Sequence, residues 1–290
     1  MRAAFEALRP RQWMKNTFVF AGLIFSENLA NRRDDLLVLA AFAIFCVISS
    51  SVYLINDLAD IEQDRSHPTK CRRPLASGRL SPAAAVVMAV LLGAAGLAAS
   101  YWINPGFLLL AVIYFTLNLA YSFVLKHVMI LDVICVAVFF VLRAAAGAEA
   151  IAVRISPWLL ICTILLALFL ALSKRRHELV LLEAAASHHR RILAEYSPYL
   201  LDQMISVVTA STVVCYCLYT LWSETVNKFG THNLVYTVPF VLFGIYRYLY
   251  LVHRAEQGDQ PDKVLLTDIP MLVDVALWLA AVVLIIYARP

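Results

Sequence analysis

The sequence predicts an all-α fold, a polytopic membrane helix bundle of nine transmembrane helices, on three observations. Hydrophobic residues fill 62% of the 290 positions, against roughly 45–50% in soluble domains. The excess is gathered into long uncharged runs separated by short polar stretches. Seventeen of the 24 Lys and Arg residues fall in alternate connecting segments beginning with the N-terminus, five fall in the other segments, and two lie within spans. Continuous apolar runs are helices in lipid, because a helix satisfies its own backbone where no water can.

The elements follow in order. A short run at 16–30 carries Glu27 and follows Arg9, Arg11 and Lys15. No small-residue cleavage site ends it and the span count needs it, so it reads as a span rather than a removable leader. The runs 36–55, 82–102 and 104–125 are uncharged, and each has about the 20 residues that cross a hydrocarbon core. Span 129–148 contains Asp132 and Arg143; 155–173 and 203–223 are uncharged; 229–251 contains His232 and Arg247, and 269–288 contains Asp274. The positive-inside rule puts the N-terminus in the cytoplasm and the C-terminus outside. Longer polar segments at 56–81, 174–202 and 253–268 then lie on the cytoplasmic side. No linker or soluble appendage divides the chain, which reads as one domain over 1–290.

Composition also excludes. A net charge of +4, with its basic residues at membrane ends, points to anionic lipid or a phosphorylated substrate and not to nucleic acid. Cys46, Cys71, Cys135, Cys162, Cys215 and Cys217 form no CxxC pair and read as apolar filler, with no disulfide framework or zinc site. His188 and His189 sit in a hydrophilic loop and read as solvated.

Chemistry is concentrated where the second span leaves the membrane, at Asn56-Asp57-Leu58-Ala59-Asp60-Ile61-Glu62-Gln63-Asp64-Arg65. On a continuing helix Asp57, Asp60 and Asp64 share one face, with Asn56 beside them. Three like charges on one stripe repel, and a divalent cation relieves the repulsion. Oxygen ligands suit Mg²⁺, which completes its shell with water and substrate phosphates. Arg65, His67, Lys70, Arg72 and Arg73 follow at once. Acidic ligands beside a basic cluster make a diphosphate-binding pattern. Further candidates at the same membrane face are Lys15 and Asn16, Tyr121 and Lys126, and Lys174, Arg175 and Glu178. Arg143 and Asp132 stand apart because ionisable residues inside a span are expensive. Arg247 and Asp274 are similar, with mutual pairing as the plain alternative.

The Asn56-Asp57-x-x-Asp60-x-x-x-Asp64 motif, the nine spans and the long loops after spans 2 and 6 resemble the UbiA superfamily of intramembrane prenyltransferases, over essentially the whole chain. That resemblance implies a UbiA-like fold. Usual members carry a second aspartate-rich motif after span 6, where this chain has Ser173-Lys174-Arg175-Arg176-His177-Glu178. This departure is shared by one branch, the decaprenyl-phosphate phosphoribosyltransferases. The chain also resembles that branch at Arg9-Pro10-x-Gln12-Trp13-x-Lys15-Asn16, His67-Pro68-Thr69-Lys70 with Arg73-Pro74, and Tyr121-Ser122 with Lys126.

The branch implies an Mg²⁺-dependent enzyme that transfers 5-phosphoribosyl from phosphoribosyl diphosphate to a polyprenyl phosphate, for lipid-linked pentose and cell-wall polysaccharide synthesis. Asn56, Asp57, Asp60 and Asp64 are then the metal ligands. Asp57, Asp60 and Lys126 carry catalysis. Lys15, Asn16, Arg65, Lys70, Arg73, Tyr121, Lys126, Arg143, Lys174, Arg175 and Glu178 bind substrate: Lys174 and Arg175 take the 5-phosphate, Lys126 and Arg143 the acceptor phosphate. The expected place is a bacterial plasma membrane with the active site cytoplasmic, and a homo-oligomer is allowed. Two other readings stay open. A conventional prenyltransferase, moving a prenyl group from its diphosphate to an aromatic acceptor, predicts a second acidic cluster. A transporter predicts broken helices and charges at mid-membrane.

Overall fold

Helix starts fall where the sequence supplies caps. The structure, a computed structural model, describes residues 2–25, 31–67, 69–154, 156–185, 195–254 and 267–287. The chain divides into two compact units, Met1–Ile155 and Ser156–Pro290.

The first unit opens with α1 (Arg2–Ala7), an eleven-residue 3₁₀ segment (Pro10–Phe20) and α2 (Ala21–Ile24). Then come α3 (Arg32–Ala59), α4 (Ile61–Ser66), α5 (Pro82–Ile103), α6 (Pro105–Phe123) and α7 (Leu131–Ala150). Asn31, Ser81 and Asn104 cap α3, α5 and α6, each accepting a backbone N–H of the first turn. Asp34 and Asp35 add negative charge at the positive end of α3. Asn104 also donates to Glu149 O at 2.8 Å, tying the start of α6 to the end of α7.

Lipid supplies no hydrophobic drive between helices, so close packing must do the work. On α5 the buried stripe is Ala85, Ala89, Gly93, Gly96 and Ser100. This small-residue face lets α3 approach until Ser51 Oγ donates to the Ala89 carbonyl at 2.6 Å. The opposite face of α5 exposes Val86, Val87, Val90 and Leu91, which suits hydrocarbon and not water. The core of this unit is built on Val19, Val38, Phe45, Ile48, Phe107, Tyr114 and Phe139.

The second unit holds α8 (Pro157–Ala185), α9 (Pro198–Leu221), α10 (Ser223–Phe229), a 3₁₀ turn (Asn233–Thr237), α11 (Val238–Arg254) and α12 (Ile269–Tyr287). Arg176 on α8 pairs with Asp202 on α9. Phe169 meets Tyr248 edge-on at 5.2 Å, joining α8 to α11. Tyr216 bonds Thr237 at 2.7 Å and accepts from Trp278 Nε1 at 2.9 Å, joining α9 to α12.

Among the described residues, eight helices are long and apolar enough to cross a membrane, so the chain is a multi-pass helical membrane protein. They match eight of the nine expected spans. The first, 16–30, differs: its described part is the 3₁₀ segment and α2. A 3₁₀ helix rises about 2.0 Å per residue against about 1.5 Å for α, so the run from Pro10 to Ile24 covers roughly 28 Å. The tighter winding also makes it slim. A Cβ on Gly147 of α7 would lie 1.8 Å from the Val19 carbonyl oxygen, and one on Gly22 would lie 2.8 Å from Ala148 backbone.

Two further outcomes concern charges inside spans. Arg247 pairs with Asp268 at 2.8 Å and not with Asp274, which is buried on α12 beside Gly244. All six cysteines are free. His188 and His189 lie outside the described residues.

Candidate active site

The last turns of α3 carry the aspartate motif. The helix is interrupted at Asp60, yet the hydrogen bonds from Asp60 N to Asn56 O and from Asp64 N to Asp60 O, 3.0 and 2.8 Å, keep helical register into α4. Asp57, Asp60 and Asp64 therefore stay on one side, and all three are buried, at 2%, 5% and 4% exposure. A buried carboxylate needs a partner, and each has one. Arg9 donates to Asp57 Oδ1. Arg73 Nη1 donates to Asp57 Oδ1 at 3.1 Å and to Asp64 Oδ2 at 2.5 Å. Lys126 Nζ donates to Asp60 Oδ1, and Asn56 Nδ2 donates to Asp60 Oδ2 at 3.3 Å. Three carboxylates thus face three side-chain cations.

Each cation is delivered by a strained or tightly pinned segment. Arg9 has φ +54° and precedes Pro10. The residue before proline is excluded from the right-handed helical region, and a left-handed turn there costs about 1–2 kcal/mol. That turn starts the 3₁₀ segment and aims the guanidinium at Asp57, over the Tyr53 ring at 5.2 Å. The chain around Arg9 is fastened to α3 by Ser50, which donates to Leu8 O at 3.0 Å and accepts from Trp13 Nε1 at 3.0 Å. Arg73 follows a 3₁₀ turn at Lys70–Arg72. Leu75 and Leu80 anchor its loop in a small core with Ala7, Leu54, Ala85 and Ala89. Arg79 spans the same loop, donating to both Glu6 oxygens at 2.7 and 3.0 Å and to Arg72 O at 2.6 Å. The bidentate contact holds the Glu6 carboxyl below the usual carboxylate range. Lys126 sits in the 3₁₀ turn Leu125–His127 between α6 and α7 and is 4% exposed.

Of the residues expected at the site, Asn56, Asp57, Asp60, Asp64, Arg73 and Lys126 are brought together. Arg65 turns away to an exposed pair with Glu62 at 2.8 Å. Lys15 and Lys70 are half-buried in their 3₁₀ segments, and Tyr121 packs edge-on against Phe139 at 5.6 Å. Asn16 and Arg143 meet each other. Arg143 donates to Asn16 Oδ1 at 2.8 Å, Phe139 O at 2.9 Å and Tyr114 OH at 2.7 Å, and stacks on Tyr114 at 4.8 Å. Asn16 in turn donates to Ser49 Oγ at 3.2 Å and Cys46 Sγ at 3.3 Å. In the second unit Arg175 is buried and donates to Glu178 at 2.7 Å, one turn on along α8, and Lys174 is half-buried.

Sequence reasoning missed Ser49, Ser50 and Ser51. Three successive serines in an apolar span point three ways, to Asn16, to the chain around Arg9, and to α5. The run itself was the available signal.

The donor set bears on a metal. Among the described residues no three Asp, Glu, His or Cys side chains already converge on one point. Asp57 and Asp64 are nevertheless bridged by a single cationic nitrogen, and the motif offers only oxygen acceptors. The set suits a hard, oxygen-seeking cation such as Mg²⁺.

Comparisons with known proteins concern the chain as a whole. The UbiA prenyltransferase family model matches residues 17–273. The decaprenyl-phosphate phosphoribosyltransferase of Corynebacterium glutamicum is 35% identical over 290 residues, covering 98% of this chain and 87% of that protein. Its namesake in Mycobacterium tuberculosis is 34% identical over 281 residues, covering 96% and 92%. Among solved structures, a UbiA homolog from Archaeoglobus fulgidus bound to GPP and Mg²⁺ superposes with a TM-score of 0.73 at 20% identity, over 98% of this chain and 99% of that one. An apo UbiA homolog from Aeropyrum pernix gives 0.69 at 15% identity, over 92% and 97%.

Proposed function

The chain belongs to the UbiA prenyltransferase family, and on that premise we propose that it transfers a 5-phosphoribosyl group from phosphoribosyl diphosphate to a polyprenyl phosphate. The observation that carries this reading is the basic run in the second half of α8. Lys174 and Arg175 stand there, where conventional prenyl transfer calls for a second acidic cluster. A sugar donor with a phosphate at each end needs cations at both.

The reaction forms a bond from an acceptor phosphate oxygen to the anomeric carbon, while the bond from that carbon to diphosphate breaks and its electron pair leaves with diphosphate. The acceptor oxygen is already ionised, so no general base is required. Mg²⁺ held by Asn56, Asp57, Asp60 and Asp64 would neutralise the leaving diphosphate. Arg9, Arg73 and Lys126 bind phosphate oxygens from the same cluster, Lys126 on the acceptor side. Lys174 and Arg175 bind the 5-phosphate, with Glu178 orienting Arg175. Asn16 and Arg143 brace the 3₁₀ segment that presents Arg9. The apolar surround excludes water, which strengthens each of these contacts and protects the reactive sugar. The reading treats 1–290 as one catalytic domain in a bacterial plasma membrane, with the aspartate motif and the N-terminus on the cytoplasmic side.

The test is transfer in detergent micelles, with labelled phosphoribosyl diphosphate, polyprenyl phosphate and Mg²⁺. Label entering the organic phase, abolished by EDTA and by Asp57→Asn, is the expected result. Absence of labelled lipid from a well-folded preparation overturns the reading.

A further inference from the structure

Entry to the aspartate cluster is governed by what already pairs with it. Arg73 Nη1 lies between Asp57 Oδ1 and Asp64 Oδ2, at 3.1 and 2.5 Å. Any other cation shared by these two carboxylates must take the place that this nitrogen holds. Arg9 donates to the same Asp57 oxygen. Accessibility separates the partners. The side chains of Arg9 and Arg73 are 22% and 26% exposed, those of Asp57 and Asp64 only 3% and 6%. The two arginines therefore form the accessible layer, and the carboxylates lie beneath it. An incoming anion meets the arginines first, and an incoming cation finds its ligands covered.

Charge decides what can enter. Asp57, Asp60 and Asp64 are balanced by Arg9, Arg73 and Lys126. A divalent cation added alone leaves buried positive charge without a counter-ion, which is costly. The arginines it displaces find no other acid at hand, because Glu6 of α1 holds Arg79 and Glu62 of α4 holds Arg65. A diphosphate added alone draws the arginines away and leaves buried carboxylates bare, the converse penalty. The two together remove both penalties. Phosphate oxygens receive the guanidinium groups, whose planar forks suit them, and the carboxylates are released to the metal. Arg9 stays close while it changes partner, because its guanidinium lies over the Tyr53 ring at 5.2 Å. We infer that Arg9 and Arg73 gate the aspartates, so that the metal is admitted only together with an anionic diphosphate that the two arginines receive. This goes beyond the proposed function and holds for any diphosphate donor, sugar or prenyl.

Binding without turnover tests this, on the full-length protein in micelles. Mn²⁺, a paramagnetic stand-in for Mg²⁺, is titrated alone and its bound fraction read by electron spin resonance, counting only sites lost in Asp57→Asn. Labelled inorganic diphosphate is titrated by equilibrium dialysis, once in EDTA and once in Mg²⁺. The parent should show no saturable Mn²⁺ site below millimolar concentration. It should bind diphosphate at least about tenfold more tightly in Mg²⁺ than in EDTA, an ordinary coupling between two ligands. Arg73→Gln and Arg9→Gln should move the ligands in opposite directions: Mn²⁺ alone tighter by at least about tenfold, and diphosphate in Mg²⁺ weaker by a similar factor. A damaged fold weakens both, so the opposed signs separate gating from a structural role. Submillimolar Mn²⁺ binding by the parent, variants that leave Mn²⁺ binding unchanged, or variants that lose both ligands would overturn the inference. If the opposed shifts appear in a preparation that transfers no sugar, the gate stands and the choice of donor fails.

Discussion

Gly147→Ala adds one methyl group in the face of α7 against which the N-terminal 3₁₀ segment lies. The new Cβ would stand 1.8 Å from the Val19 carbonyl oxygen and 2.6 Å from its carbon. Contacts below 3.0 Å are essentially never made by a real Cβ, so the two backbones must part by about 1 Å or more. Neither is the flexible end of a side chain. The cost belongs at the upper end of the roughly 1–3 kcal/mol typical of overpacking. The displacement also has a direction. Arg143, one turn before Gly147, holds Asn16 at 2.8 Å, so a methyl at 147 levers the segment away from that anchor. Arg9 begins the same segment and is the partner of Asp57. A misplacement of about 1 Å at a reacting site costs on the order of 100-fold in rate. The assay is the half-life of folded protein in micelles at raised temperature, with transfer activity measured beside it. Gly147→Ala should shorten the half-life and lower kcat by about 10- to 100-fold. A variant with the parent's half-life and rate would refute the claim that this contact positions Arg9.

Other predictions follow from the same cluster. Lys126→Met strips Asp60 of its cation while both sites are nearly inaccessible; breaking one side of a buried pair costs about 3–5 kcal/mol. The variant should melt well below the parent in EDTA and recover in millimolar Mg²⁺, and equal melting in EDTA contradicts the pairing. Asp64→Asn leaves Arg73 on Asp57 alone and should raise the Mg²⁺ concentration for half-maximal activity about tenfold, read by metal titration; an unchanged titration removes Asp64 from the ligand set. Glu6 gives a pH dependence. Its folded carboxyl is held below the ordinary value of 4.5 by Arg79, so its contribution is present above that value and is lost as pH falls through the lowered one. The parent's stability advantage over Glu6→Gln, small because the pair is solvated, should be full at pH 6 and shrink as pH falls below 4.5; an advantage that does not decline with acidification contradicts the assignment.

The fold was largely legible because lipid imposes one rule on the sequence. Runs such as 82–102 and 203–223 have no charge to interrupt them, and they appear as α5 and α9 within a few residues. The Pro10–Phe20 segment was not legible as 3₁₀ helix. It packs through Val19 against Gly147, 128 positions away in the chain, a contact that local spacing does not reveal. The aspartate cluster could be read because its spacing is local. Lys126 could be placed at the same membrane face by topology, but its bond to Asp60 depends on how the α6–α7 turn is folded. Arg143 looked like a phosphate ligand because a charge inside a span is costly; the structure meets that cost internally, through Asn16, Tyr114 and the Phe139 carbonyl. Arg247 pairs with Asp268, the residue just before α12, and not with Asp274 within that helix.

The central claim is the choice of donor, and side-by-side turnover measures it most directly. Purified protein in micelles with Mg²⁺ would be given phosphoribosyl diphosphate with polyprenyl phosphate, and separately geranyl diphosphate with an aromatic acceptor, and kcat/KM compared. A ratio of at least about 1,000 in favour of the sugar donor, falling steeply in Lys174→Ala, is the predicted result. Efficient prenyl transfer without sugar transfer would contradict the account and return the chain to the conventional prenyltransferases.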